Sequence, residues 1–223
     1  VYQFKIPENK SLVIRNAIEK IDFQEKPKDK INLIYHTTPW RGLENLIKIF
    51  KKLSLENVEL NVCSSTIIYG KKFNSGIGNI YEKLFEECKK TRNINYYGYL
   101  ENSKIIDLLK QTHIFTYPSI WPETSCISAI EAMAAGCEVL TTNLGALYET
   151  CSPFSSFVGF DRDFGNLEKK YTEALLKSIK DYWSEENQNK LKLQRETINL
   201  TYSWEFRSKE WESFFRRARR LKI

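Results

Sequence analysis

Histidine is scarce: His36 and His113 are the only two in 223 residues, and neither stands beside a cluster of carboxylates or cysteines. Imidazole is the commonest protein ligand for transition metals, so no dedicated metal site is expected and metal-free chemistry is favoured. The five cysteines, Cys63, Cys88, Cys126, Cys137 and Cys151, are odd in number and lack the close pairing of zinc knuckles and redox motifs. Free, reduced thiols are the expectation. No apolar run approaches the roughly 20 residues that a bilayer-crossing helix needs. The opening VYQFKIPENK lacks the apolar stretch of a secretory signal, which gives a cytoplasmic location as the reading. Neither an internal repeat, nor a low-complexity tract, nor a Pro/Gly/Ser linker interrupts the body. Residues 1–223 therefore read as one domain, with 1–30 as a lead-in and 203–223 as a closing helix with a basic tail.

Charge of one sign is also scarce outside that tail. The formal net charge is +6, and Arg216, Arg217, Arg219, Arg220 and Lys222 supply five positive charges of their own. The remaining body is close to neutral and has no basic stretch interleaved with aromatics, so a nucleic-acid partner is not expected.

What the chain has in quantity is apolar runs of strand length. INLIYHTT (31–38), VELNVCSS (58–65), INYYGYL (94–100), HIFTYPS (113–119) and CEVLTTN (137–143) each read as a buried strand, and SSFVGF (155–160) as a sixth. Between them lie helical stripes. Leu43, Leu46, Ile47, Phe50 and Leu53 form one; Ile105, Ile106, Leu108 and Leu109, behind a candidate N-cap at Ser103, form another. Leu167, Tyr171, Ala174, Leu175, Ser178 and Tyr182 trace a third, and Trp204, Trp211, Phe214, Phe215, Ala218 and Leu221 a fourth. Strands apolar throughout, alternating with helices, predict an α/β fold: a Rossmann-like parallel sheet of about six strands with helices on both faces.

In such a sheet ligands bind beyond the carboxyl ends of the strands. The fourth strand runs there into IWPETSCISAIEAMAAG, where Pro118 and Pro122 delay helix formation and Thr124 or Ser125 is a candidate cap. Glu123 and Glu131 are eight positions apart, roughly 12 Å if all eight steps are helical. That span lets one carboxylate sit at each end of an extended ligand the length of a sugar-diphosphate-nucleoside. Between them the free amides of Ser125, Cys126 and Ile127 face the diphosphate with the helix dipole behind them.

PETSCISAIEAMAAG, preceded by YPS and followed by a short strand and Asn143-Leu-Gly-Ala-Leu-Tyr-Glu149, strongly resembles the signature of glycosyltransferase family 4, whose members have the GT-B fold. LVIRNAIEKIDF (12–23) is similar to that family's entry into its C-terminal domain. TPWRGLENLIKIFKKL (38–53) is similar to its basic-Gly turn and first helix, and YSWEFRSKEWESFF (202–215) to its closing helix. The resemblance covers almost the whole chain but only the C-terminal, donor-binding half of a GT-B enzyme. It implies a retaining transferase that takes a hexose from a UDP- or GDP-sugar, with the acceptor (glycan, protein or lipid-linked) held by a missing N-terminal domain. The rival reading is a non-catalytic nucleotide-sugar-binding module or degenerate partner subunit.

Carried over by position, the resemblance implies that Glu123 bonds the donor sugar and assists its anomeric centre. Arg41, in the turn with Gly42, contacts the diphosphate, Glu131 binds the ribose hydroxyls, and the backbone around Tyr99 and Leu100 meets the base. Metal is dispensable, because Arg41 and the helix N-terminus stabilise the charge of the departing nucleotide diphosphate. Two departures stand out. His36 occupies a position where many members carry a second basic residue, which shifts phosphate binding towards Thr37 or Thr38. Ser125-Cys126 and Gly145-Ala146 replace Phe-Gly and Gly-Gly, mild changes that keep the backbone N–H groups.

Weaker signals are read conservatively. Cys126 is a small filler, His113 is structural, and His36 is balanced between site and core. Glu149 is either a ligand contact or a cap. The aromatic face of the last helix has three readings, in order: it covers the other domain, its basic end complements the helix dipole, or it rests on an anionic membrane.

Overall fold

The computed structural model describes residues 5–53, 55–70, 72–73 and 80–220. Strands β1 (Ile31–Tyr35), β2 (Val58–Val62), β3 (Ile94–Tyr96), β4 (Ile114–Tyr117), β5 (Glu138–Thr142) and β6 (Ser156–Val158) form one sheet in the order β3-β2-β1-β4-β5-β6. Every neighbouring pair is parallel. All six expected strands are present. The inner strands β1, β4 and β5 are buried at every position, as strands covered on both faces must be. In the edge strands β3 and β6 only Ile94 and Val158 are buried, and both are shorter than their apolar runs because an edge strand has one neighbour to pair with.

Helices α1 (Leu43–Leu53), α2 (Glu82–Lys90), α3 (Asn102–Gln111), α4 (Ile127–Ala134), α5 (Leu147–Cys151), α6 (Phe164–Asp181), α7 (Glu185–Thr201) and α8 (Trp204–Arg220) cover the two faces. The stripe on α1 buries Leu43, Leu46, Ile47 and Phe50, and that on α6 buries Leu167, Tyr171, Leu175 and Ser178. Where a side chain caps, the helix begins as the sequence rule says: Asp163 accepts from Gly165 and Asn166 at 2.9 and 3.3 Å, and Ser184 accepts from Asn187 at 3.3 Å.

Two expected caps are corrected. Helix α3 is capped by Glu101 rather than Ser103, and α4 by Cys126 rather than Thr124 or Ser125, neither with a side-chain cap bond. Helix α4 is buried on almost every side, from Ala129 to Ala134. Its alanines allow α7 to approach, and its last carbonyls are met by side chains from outside. Met133 accepts from Gln194, Ala134 from Asn199 and Ala135 from Lys26, at 3.2, 2.9 and 2.9 Å. Tertiary contacts therefore reinforce the C-terminal end of α4, which the backbone also closes locally: Gly136 (φ +78) donates to the Met133 carbonyl at 3.1 Å and the Cys137 N–H to that of Ala132 at 2.9 Å.

The lead-in is less separate than its name suggests. Ile18 and Ile21 are buried, and Ile18 exchanges backbone hydrogen bonds with Tyr202 and Trp204. Lys26 sends its three ammonium protons to the carbonyls of Leu109, Lys110 and Ala135. At the other end, Trp204, Trp211, Phe214 and Phe215 of α8 are exposed, while Leu221 and Lys222 lie outside the described residues. Among the described residues no helix is long and apolar enough to cross a membrane.

Candidate functional site

The strand order reverses between β1 and β4, the place where an open parallel sheet offers a crevice. The chain leaving β1 carries Arg41 and the chain leaving β4 carries Glu123. Across the gap, Arg41 Nη1 donates to Glu123 Oε1 at 2.7 Å, and the Tyr117 hydroxyl donates to the same oxygen at 2.6 Å. Glu123 is only 5% exposed. Removing a carboxylate from water to that extent is tolerable because two strong donors, one charged, meet it.

Two glycines hold this loop in place. Gly42 (φ +125) has the Pro118 carbonyl oxygen 2.2 Å from where a Cβ would stand, and Gly145 (φ +65) has the Glu123 backbone N and O at 2.5 Å. Both also sit at left-handed φ, so a side chain is excluded by the neighbouring backbone as well as by conformation. The Ala146 N–H donates to the Glu123 carbonyl at 2.7 Å. The loop carrying Glu123 is thus pressed from the β1 side by Gly42 and from the β5 side by Gly145.

Beside this pair opens a cleft of about 290 Å³, lined by His36, Thr38 and Arg41 after β1, by Cys63 and Ser65 after β2, by Gly98, Tyr99 and Leu100 after β3, and by Ser128 of α4. Tyr69 forms part of the wall and is held by Trp40, whose ring lies 5.2 Å from it and 5.9 Å from that of Tyr81. Buried polar side-chain atoms without a hydrogen-bond partner concentrate here. Of the seven among the described residues, His36 Nε2, Thr38 Oγ1 and Arg41 Nε belong to cleft residues, and Ser64 Oγ stands between two more. Since native interiors leave few such groups unmet, their gathering in one cleft makes it the candidate site for a polar ligand.

Burial lowers His36 to about 4, so its imidazole is neutral at pH 7 and packs edge-on against Phe115. Arg41 is then the cation of this cleft wall. Glu131, on α4 three residues after the cleft-lining Ser128, is 8% exposed and accepts one bond, from Asn102 Nδ2 at 2.8 Å. Burial raises its pKa, with the Asn102 bond opposing. Leu100 and Ile105, which flank Asn102 in sequence, line the cleft. Arg41 lines the cleft and holds Glu123 behind it, whereas Asn102 and Glu131 are not among its lining residues. Roomier grooves exist: one of about 1150 Å³ lies between α1 and α2 at the amino end of the sheet. It is wider but lined by exposed Lys and Glu side chains, without the unmet buried donors and acceptors that single out the smaller cleft.

The expected site residues divide as follows. Thr38, Arg41, Tyr99 and Leu100 line the cleft; Glu123 touches it through Arg41, Gly42 adjoins Arg41, and Glu131, bonded to Asn102, is not among the lining residues. Thr124, Ser125, Cys126 and Ile127 do not line it. The helix begins at Ile127, so the run of free amides starts two residues later than expected, at Ile127 and Ser128 rather than at Ser125. For the same reason Glu123 and Glu131 are not eight helical steps apart: half of the interval is extended loop. Ser125 accepts from Asn16 of the lead-in at 2.9 Å. Cys126 is buried, and its pKa is raised by burial and by the Glu123 charge rather than lowered by the helix start. Glu149 is exposed and faces Arg15 at 3.6 Å. His113 is structural: its Nδ1 accepts from Asn32 N at 2.9 Å, so Nε2–H donates to the Pro27 carbonyl at 2.8 Å. Among the described residues no cluster of His, Cys, Asp and Glu is gathered as a metal would require. The sequence reading missed Tyr117, the second donor to Glu123, and the cleft-lining Cys63, Ser65, Tyr69 and Ser128. Only Tyr117 carried a signal, a hydroxyl ending an otherwise apolar strand next to the motif.

A doubly wound parallel sheet with such a cleft at its switch point defines a Rossmann-type ligand-binding domain. The chain belongs to the family Glycosyl transferases group 1, which matches residues 15–197. It is 26% identical over 161 residues to an uncharacterized 41.2 kDa protein in the cps region of Klebsiella pneumoniae, covering 66% of this chain and 40% of that protein. To a subunit of the human phosphatidylinositol N-acetylglucosaminyltransferase it is 28% identical over 142 residues, 61% of this chain and 28% of the relative. A glycosyltransferase of Rickettsia africae superposes with a TM-score of 0.77 at 17% identity, over 96% of this chain and 59% of that one. Anabaena Alr3699/HepE in complex with UDP and glucose superposes with a TM-score of 0.64 at 12% identity, over 83% of this chain and 48% of that one. At these identities the structural likenesses speak for the fold. The chain spans well under half the length of the curated relatives it matches.

Proposed function

We propose that this chain is the donor-binding half of a retaining hexosyltransferase that takes a UDP- or GDP-sugar, completed by an acceptor domain outside residues 1–223. The carrying observation is the Arg41–Glu123–Tyr117 cluster opening onto a cleft with unmet buried donors. In this reading Arg41 offers its free Nε to the diphosphate while Nη1 keeps Glu123 in position. Thr38 Oγ1 and the first amides of α4 add neutral donors, without a metal. Glu123 lies against the donor sugar, where its charge stabilises the developing positive anomeric carbon, and the guanidinium takes the negative charge of the leaving nucleotide. Glu131 accepts from the ribose hydroxyls, and Tyr99 with Leu100 meets the base. The Anabaena structure, whose complex contains UDP and glucose, supports a nucleotide sugar as the ligand class.

Calorimetry with UDP and GDP on this chain tests the reading. One of them binds, and Glu131→Ala weakens that binding by about 1–3 kcal/mol, the cost of leaving hydroxyls unpaired. No heat with either nucleotide refutes donor binding. Binding without turnover once the acceptor domain is supplied refutes the transferase and leaves a binding module.

A further inference from the structure

A second cavity lies at the opposite end of the sheet. Its volume is about 310 Å³, and its walls come from the segment before β1 (Phe23 to Lys28), the turn at Gly136 between α4 and β5, and the junction of α6 and α7 (Tyr182, Trp183, Lys192, Arg195). The donor cleft is at the carboxyl ends of the strands and this one at their amino ends, a separation of about 16 Å for a five-residue strand such as β1.

The lining is unusual in charge. Lys26, Lys28, Lys192 and Arg195 face one carboxylate, Glu25. Among the described residues Lys28 and Lys192 make no ion pair, and Arg195 has no carboxylate partner, its guanidinium lying 3.9 Å from the centre of the Phe23 ring. Lys26 forms the floor, buried to 7% exposure. Its three protons go to the carbonyls that end α3 and α4, so it cancels the negative dipole ends that would otherwise repel an anion there. Burial pulls Lys26 below its ordinary pKa, with Cys137 opposing and the Arg195 charge adding the smallest part. The remaining cations are uncompensated.

The lining is also aromatic. Phe23 and Trp183 are 51% and 42% exposed, each presenting ring surface to the cavity. The Trp183 ring is fixed by edge contacts to His113 and Tyr182 at 5.5 and 5.0 Å. Gly136 adds room at the base, where a Cβ would meet Phe23 and Arg195 side-chain atoms at 3.7–3.9 Å. Uncompensated cations beside a clamped, half-open indole suit a phosphate carrying a flat ring, with the ring on Trp183 and the anion between Lys192 and Arg195. The volume is at the lower end of small-ligand sites, which run from about 300 Å³.

We infer that this cavity is a second binding site, separate from the donor cleft, for a small phosphorylated ligand with a planar ring, mononucleotide in size and charge. Titrating the nitrogen-15-labelled chain with AMP, adenosine and inorganic phosphate, followed by NMR, tests it. AMP shifts the Gly136 amide and the Trp183 indole N–H, and does so at about tenfold lower concentration than adenosine or phosphate alone. Lys192→Glu, at an exposed position that packs against nothing in the core, and Arg195→Glu each weaken AMP by about tenfold at these signals. Shifts confined to Gly98 and Ser128, which line the donor cleft, overturn the inference. So do a midpoint equal to that of phosphate alone, and AMP binding that survives both charge reversals.

Discussion

Replacing Arg41 by methionine separates the two duties assigned to it. The Arg41–Glu123 pair closes at 2.7 Å with the carboxylate side chain 4% and the guanidinium 28% exposed. Deleting one member of a fully buried pair costs about 3–5 kcal/mol, because the other is left charged and unmet. Here two features reduce the loss: the Tyr117 hydroxyl still donates to Glu123 at 2.6 Å, and water reaches the space that Arg41 vacates. About 2–3 kcal/mol is the expected destabilisation at neutral pH, a fall in Tm of roughly 5–10 °C for a domain of this size. Adding Glu123→Gln to Arg41→Met removes the stranded charge, so the double variant is less destabilised than the two singles combined, by about 1–3 kcal/mol. Nucleotide affinity falls as well, by about 10–100-fold for one lost charge-assisted contact to phosphate. Arg41→Lys keeps the charge but not the fork that serves carboxylate and phosphate together, so it recovers stability or affinity but not both. Thermal melts across the cycle, with calorimetry against UDP and GDP, provide the assay. Additive stability effects would show that the pair is incidental. Unchanged nucleotide affinity in Arg41→Met would remove the guanidinium from the donor site.

Acid should destabilise the protein early. Burial lowers His36 and His113 to about 4, below the unfolded value near 6.5, so between those pH values the unfolded chain binds more protons and stability drops as pH falls. The full window is worth up to about 3 kcal/mol per histidine. His36→Asn should flatten the fall between pH 6.5 and 4 in urea melts; an unchanged slope contradicts a buried, neutral His36. Gly145→Ala should cost about 2 kcal/mol or more and weaken nucleotide binding, since a Cβ meets the Glu123 backbone at 2.5 Å. Gly136→Ala, also at positive φ (+78) but with only ordinary contacts to side-chain atoms at 3.7–3.9 Å, should cost about 1 kcal/mol from conformation alone. Equal losses would mean that Gly145 does not press on the loop.

The sheet was readable in advance because a parallel strand covered on both faces has no polar side to hide. Leu33, Ile34, Phe115, Val139 and Leu140 are apolar for one reason, burial, and the sequence states it directly. The proposed site was legible as far as the meeting of Arg41 with Glu123, where the family pattern is dense, and less so at the helix that follows. Local capping rules assume that a helix end is satisfied by its own neighbours. Helix α4 instead begins after a loop clamped by Gly42 and Gly145, and its end, though stopped locally at Gly136, is also met by Gln194, Asn199 and Lys26, residues distant in sequence. No window of a dozen residues contains that information. The same remoteness concealed the lead-in, whose Lys26 reads as one more surface lysine until the folded chain brings two helix ends to it.

That placement gives α4 its importance. One helix, about 12 Å long at eight residues, carries Ser128 at the candidate cleft and ends beside Gly136 in the cationic cavity. It is packed on nearly every side, so a displacement at one end has little freedom to be absorbed by side chains and moves the helix as a rigid body. If both cavities are occupied, filling one should change the affinity of the other by a factor that is the same in either direction, because coupling between two binding sites is reciprocal. AMP titrated with and without saturating UDP measures that factor. A value of one would mean that α4 holds the two sites in place without linking them.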